Sequence, residues 1–231
     1  MFQMELFAII YKKIKKLTWQ EKVNIVHYII QDLAIVHKAE LYHGLVTTLT
    51  ILMNGDWAYL VGLDFSKNVD LVTVKHEKIF GVLPFVSPEV LRDKLTAQSV
   101  QSADIYSIGI VMSEIASGSI PFRDEREVYI ALDVCSGMRP EIKDSTPEAY
   151  RKIMEACWDS DPLKRPDIFK LQSIFTKWRQ NPPFNITQQF EQADDLDAKN
   201  NDMGNVNLFF FIHVLYKIII IIIHYISDCR F

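Results

Sequence analysis

The sequence predicts a mainly α-helical fold carrying one short β-hairpin, and three stretches predict it. Residues 102–122, SADIYSIGIVMSEIASGSIPF, would place apolar side chains on nearly every face of a helix, the mark of a helix buried on all sides. After Thr18-Trp-Gln-Glu21, which has capping-box spacing, Val23, Val26, Ile29, Ile30 and Leu33 recur at helical intervals. Between Leu41 and Val61 the period becomes extended, and VTTLTILM and WAYLV flank Asn54-Gly55-Asp56, a hairpin turn signal.

In chain order, MFQMELFAIIYKKIKK carries its apolar residues before its lysines, the reverse of a secretory signal. Residues 1–16 are therefore read as an N-terminal remnant, with Lys12, Lys13, Lys15 and Lys16 as a solvated loop. The first helix runs from Thr18 to about Val36. After the hairpin, residues 62–100 are turn-rich, and Pro84 and Pro88 prevent long helices, so an ordered loop is expected. In the buried stretch Ser102 or Asp104 would cap the first turn, Gly118 would take the left-handed position past the end, and Pro121 stops the helix. Helical segments follow at Glu125–Cys135, Pro147–Trp158 and Pro166–Trp178, with the two prolines expected in the first turns.

Composition narrows the function. The 231 residues are 49% hydrophobic and 23% charged, enough apolar material for a substantial core. A net charge of -4 gives no general attraction to nucleic acid, which is not expected as a partner. Cys135, Cys157 and Cys229 lie too far apart for a metal knuckle and are read as reduced thiols in a cytoplasmic setting. His37 reads as a helix-face residue and His43 as a packed structural one, rather than as metal ligands.

The order of long helix, hairpin, loop with Ser87-Pro88-Glu89, buried helix with Asp104 and Gly109, then Cys157-Trp158-Asp159 through Arg165-Pro166, resembles the C-terminal lobe of a eukaryotic protein kinase. CWDSDPLKRP is similar to the tyrosine-kinase-like branch. The resemblance covers roughly residues 10–180 and implies a protein-kinase-like C-terminal lobe, with the N-terminal β-lobe absent because no Gly-rich loop or V-A-I-K strand precedes the first helix. It further implies a buried ion pair of Glu89 with Arg165, which fixes the activation segment. It also implies that Asp104 accepts hydrogen bonds from the catalytic-loop backbone.

The same resemblance exposes degraded chemistry. Counting from Asp32 places the H-R-D motif at His43, Gly44 and Leu45, so Leu45 stands where the catalytic Asp would accept a proton. Thr50 stands where the family has a Mg²⁺-binding Asn, and Val82 where serine/threonine kinases have a Thr. For the D-F-G motif two registers remain open. One is Gly62-Leu63-Asp64, with Gly62 in the metal-ligand place; the other is Asp64-Phe65-Ser66, in which Asp64 could still hold a metal.

Residues 180–206 are polar and read as a flexible linker. Residues 207–231 form a hydrophobic tail, in which 208–226 are long enough to span a membrane, although Lys217 opposes insertion. Residues 17–179 are the expected kinase-like lobe. The function expected is a kinase-like fragment without catalysis, either a binding module or a remnant. No cofactor is expected for it. The alternative is an ATP-dependent serine/threonine or tyrosine-kinase-like phosphotransferase using Mg-ATP, whose remaining parts this sequence lacks. A protein partner is expected on the uncovered face where an N-terminal lobe would dock, with Leu60 and Leu63 exposed there.

Overall fold

Thr18 opens the first long helix, α1 (Trp19–Lys38), through reciprocal bonds. Its hydroxyl accepts the Glu21 N–H at 3.3 Å while Glu21 Oε2 accepts the Thr18 N–H at 2.7 Å. The structure is a computed structural model, and it describes residues 14–69, 81–122, 125 and 127–200. Most of the N-terminal remnant and all of the tail at 207–231, with its candidate span at 208–226, lie outside the described residues. Among the described residues no helix is long and apolar enough to cross a membrane. Helix α1 buries Val23, Val26, Ile29, Ile30 and Leu33, the positions its periodicity marks, and Trp19 in its first turn.

Among the described residues four short strands follow: β1 (Leu41–Tyr42), β2 (Ile51–Asn54), β3 (Trp57–Leu60) and β4 (Lys67–Asn68). Strands β2 and β3 pair antiparallel with Asn54 opposite Trp57, which leaves Gly55-Asp56 as the loop, Gly55 at φ 60°. The β2 arm is shorter than the VTTLTILM run predicts. Thr48–Thr50 instead form a 3-10 turn because the Thr47 hydroxyl accepts the Leu49 N–H and diverts the chain. Strand β1 pairs with β4, which joins the chain ahead of the Thr48–Thr50 turn to the chain after the hairpin.

The hairpin faces overturn one expectation. Leu60 is buried against α1, where Asp32 Oδ2 accepts its N–H at 2.8 Å; strand alternation directs it inward beside Ala58. Along the hairpin the exposed apolar side chains are Leu52, Met53, Trp57 and Tyr59, with Leu63 just beyond it, and the Trp57 ring also packs on Tyr28 of α1 with 4.7 Å between centroids.

Between residues 62 and 100 the chain carries β4, a 3-10 turn at Leu83–Phe85 and the one-turn helix α2 (Pro88–Leu91). Helix α3 (Val100–Ser117) is the buried axis. It starts earlier than expected, at N-cap Ser99, so Ser102 and Asp104 lie inside it and cap nothing; the Asp104 carboxylate is engaged across the fold. Gly118 ends it at φ 61°, its N–H returning to Glu114 O at 2.8 Å. Helices α4 (Glu127–Cys135), α5 (Glu148–Cys157) and α6 (Ile168–Gln180) complete the lobe. Their prolines sit outside the helices: Pro147 is the N-cap of α5, and Pro166 precedes Asp167, whose side chain caps α6.

The flexible linker expected over 180–206 is instead largely a helix, α7 (Phe184–Asn200), packed on α1 and α5. Composition hid its apolar stripe: Ile186, Phe190 and Ala193 recur at helical spacing and are buried, with Phe190 edge-on to Trp178. Its polar side chains close helix ends. Asp194 Oδ1 accepts the Trp19 N–H at the start of α1 at 2.8 Å, and Gln189 Oε1 accepts the Ala149 N–H at the start of α5, also at 2.8 Å.

Gly109 lets α3 and α5 meet closely. A Cβ there would fall 3.0 Å from Cys157 Cβ and 3.2 Å from Met154 O. Gly109→Ala is expected to destabilise the lobe by about 1–3 kcal/mol through overpacking, read as a lower urea midpoint at unchanged slope.

Candidate functional site

The candidate site is assembled on Asp104, one turn into α3 and 2% exposed. Its Oδ2 accepts the His43 N–H at 2.7 Å and its Oδ1 the Gly44 N–H at 2.9 Å. Oδ2 also lies 2.9 Å from His37 Nε2, near the C-terminal end of α1. One buried carboxylate thus fastens the loop after β1 to both long helices. Gly44 at φ 73° supplies the left-handed residue that the turn requires.

His43 is locked beneath this loop. The Leu45 N–H donates to its Nδ1 at 3.3 Å, so Nε2 carries the proton and donates to Val61 O at 3.0 Å. Burial pulls its pKa below the ordinary imidazole range, in keeping with a neutral ring. His43 is therefore a strut between the loop and the end of the hairpin.

Leu45, half-buried, presents an aliphatic side chain beside it. The Thr50 hydroxyl lies within 2.9 Å of both Leu45 O and Thr47 O, and it accepts the Thr47 N–H at 3.1 Å. Its single proton and one lone pair are thus committed to bracing the loop. Gly62 takes φ 90° and leads into the 3-10 turn Leu63–Phe65, which carries an exposed Asp64. Val82 is half-buried against the core and offers no polar group.

A second cluster holds the segment beside α3. Arg165 Nη1 and Nη2 donate to Glu89 Oε1 and Oε2 at 2.7 and 2.8 Å, a bidentate pair. Arg165 also bonds Asp159 O and Ser102 O, tying α2, α3 and the turn before α6. Its guanidinium and that of Arg139 lie 5.3 and 5.2 Å from the Tyr106 ring centroid. Burial raises the Tyr106 hydroxyl to about 12.

Three contacts escaped the sequence reading. His37 reaches Asp104, Asp32 reaches the Leu60 N–H, and the Thr48 hydroxyl donates to Glu114 Oε2 at 2.9 Å. Only Asp32 left a signal, as an acid within the amphipathic pattern of α1; the others depend on sequence separations of more than sixty residues. Glu114 is 2% exposed, and burial pushes its carboxyl well above the ordinary carboxylate range. Among the described residues no group of three or more His, Cys, Asp and Glu side chains could hold a metal ion.

A buried axial helix whose Asp holds the loop after β1, a hairpin behind that loop and a bidentate Glu–Arg lock together define a kinase-type helical lobe. The family model for protein tyrosine and serine/threonine kinase matches residues 2–175, and the chain belongs to that family. The chain is 26% identical over 169 residues to a serine/threonine-protein kinase/receptor of Acanthamoeba polyphaga mimivirus, covering 71% of this chain and 10% of the relative. It is 29% identical over 167 residues to a LIM domain-containing serine/threonine-protein kinase of Dictyostelium discoideum, covering 71% and 17%. With mitogen-activated protein kinase kinase kinase 10 of Xenopus laevis it shares 30% over 107 residues, 46% and 10%. The chain thus spans a small part of the length of these relatives.

Glu89→Ala would leave the Arg165 guanidinium buried without its carboxylate and is expected to cost about 3–5 kcal/mol, measured by chemical denaturation. Glu114 behaves differently with pH. Because its folded-state pKa is raised, its stabilising share is present below the ordinary carboxyl range and is lost as pH rises toward the folded-state value. Glu114→Gln is therefore expected to flatten the fall in melting temperature between pH 5 and 8 and to exceed the wild type at the upper end.

Proposed function

We propose that this chain is a kinase-like module of the tyrosine-kinase-like branch that binds a protein partner and does not transfer phosphoryl groups. The observation that carries the reading is Leu45 at the position of the catalytic acid. An aliphatic side chain neither orients a hydroxyl nor accepts its proton. Thr50 supports it, since its hydroxyl is spent on Leu45 O, Thr47 O and the Thr47 N–H. Neither the Leu45 side chain nor the committed Thr50 hydroxyl fits Mg-ATP. The retained machinery is structural: Asp104 still holds the loop, and Glu89 still holds Arg165.

The partner surface in this reading is the exposed hairpin, where Leu52 and Tyr59 lie opposite each other, half-exposed Trp57 packs on Tyr28 next to them, and Leu63 lies just beyond. Such a face suits a protein that covers it as an N-terminal lobe would.

A second reading is an ATP-dependent serine/threonine or tyrosine-kinase-like phosphotransferase completed by sequence beyond this chain. Exposed Asp64, on the turn that follows Gly62, favours it. Thermal-shift titration with ATP and Mg²⁺ separates the two. The binding-module reading expects no stabilisation and no transfer of labelled phosphate to a protein acceptor. Transfer that disappears on heat denaturation of the chain would establish the second reading, and a nucleotide-dependent shift lost in Asp64→Ala would assign Asp64 to the metal.

A further inference from the structure

Helix α7 lies beyond the residues that the kinase family matches, yet it is fastened by a buried polar socket. Asp197 is its hub. Its Oδ2 lies 3.0 Å from Lys22 Nζ on α1, and its Oδ1 lies 2.6 Å from Lys143 Nζ and accepts a short hydrogen bond from the Ser145 hydroxyl. Asp197 is 5% exposed, Lys22 1% and Ser145 4%. Burial lowers the Lys22 pKa, so its ammonium depends on the carboxylate opposite. Lys143 and the Ser145 hydroxyl help to hold the Asp197 carboxyl below its ordinary value against the desolvation that would raise it. Asp194, which caps α1 at Trp19, lies three residues earlier on the same helix.

Two ammonium groups thus face one carboxylate and one hydroxyl directly, with the Asp194 carboxylate also acting on Lys22. Ser145 belongs to the irregular chain between α4 and α5, whose neighbours Glu141 and Asp144 are exposed. Its hydroxyl is held by the Asp197 side chain of α7. When α7 lifts, Ser145 is a loop residue beside two lysines.

We propose that Ser145 is a phosphoacceptor site whose modification unlatches α7. A protein kinase acting on this chain would transfer the γ-phosphoryl group of a nucleoside triphosphate to Ser145 Oγ. The O–P bond forms, the bond from Pγ to the bridging oxygen breaks, the nucleoside diphosphate leaves with that electron pair, and the hydroxyl proton passes to the transferring enzyme's base. The product carries a charge of about -1.5 to -2 and three acceptor oxygens. Lys22 and Lys143 become its partners, and Asp197 meets a like charge where it had met a donor. Redocking of α7 is then opposed, and the starts of α1 and α5 lose the caps that Asp194 and Gln189 supply.

The test uses the full chain with phosphoserine installed at position 145, in the wild-type and Asp197→Asn backgrounds, read by hydrogen exchange over 184–200. In the wild type, phosphate is expected to speed exchange of α7 at least tenfold. With Asp197→Asn the repulsion is gone and the amide can donate to the phosphate, so the effect of phosphate is expected to shrink by about the same factor. Unchanged protection in the phosphorylated wild type would overturn the latch, and an equal loss in both backgrounds would overturn its electrostatic basis. Phosphate mapping of the full chain from eukaryotic cells is expected to find Ser145 occupied, more so in Asp197→Asn, where α7 is looser. Absence of phosphate there in both proteins would overturn the site assignment.

Discussion

The Asp104 carboxylate is the interaction on which the remaining architecture depends. It sits on the most buried helix of the lobe and draws in the backbone of His43 and Gly44 together with the imidazole of His37. A carboxylate taken out of water must be repaid by several donors, and here those donors come from elements remote in sequence. The result is a loop whose course is set from below. Once it is held there, His43 can reach Val61, and Thr50 can close the turn onto Leu45.

That arrangement separates scaffold from chemistry. The polar groups that fasten loop to helix and segment to lobe are engaged with one another, whereas on the same loop Leu45 presents an aliphatic side chain and the Thr50 hydroxyl is taken up by backbone groups of its own turn. The two sets can diverge because they answer to different constraints. Loss of a buried partner strands a charge and unfolds the lobe, while loss of an exposed acid costs the fold nothing. Family membership through the helical lobe is therefore compatible with a binding role.

Helix α7 extends the same logic past the family boundary. It covers Trp178 with Phe190, and it closes two helix starts with Asp194 and Gln189. Each of those N–H groups would otherwise face an apolar neighbour or water, so the helix is part of the lobe's own hydrogen-bond accounting. Its polar composition, which suggests a linker, reflects side chains whose partners are supplied by other elements.

Local physics made much of the fold legible. The capping box at Thr18, the turn at Asn54-Gly55-Asp56, the left-handed stop at Gly118 and the all-round apolar helix are encoded within a few residues, where steric and hydrogen-bond preferences act directly. Boundaries were less legible: Ser99, rather than Ser102 or Asp104, begins α3, because Asp104 spends its oxygens across the fold. What the sequence by itself determined was the set of elements and the residue types at the motif positions, including Leu45 and Thr50. Only the tertiary structure decided that Leu60 faces inward, that the Thr50 hydroxyl is consumed by its own loop and that residues 184–200 dock as a helix. Those outcomes rest on contacts between distant segments, whose partners no local pattern specifies.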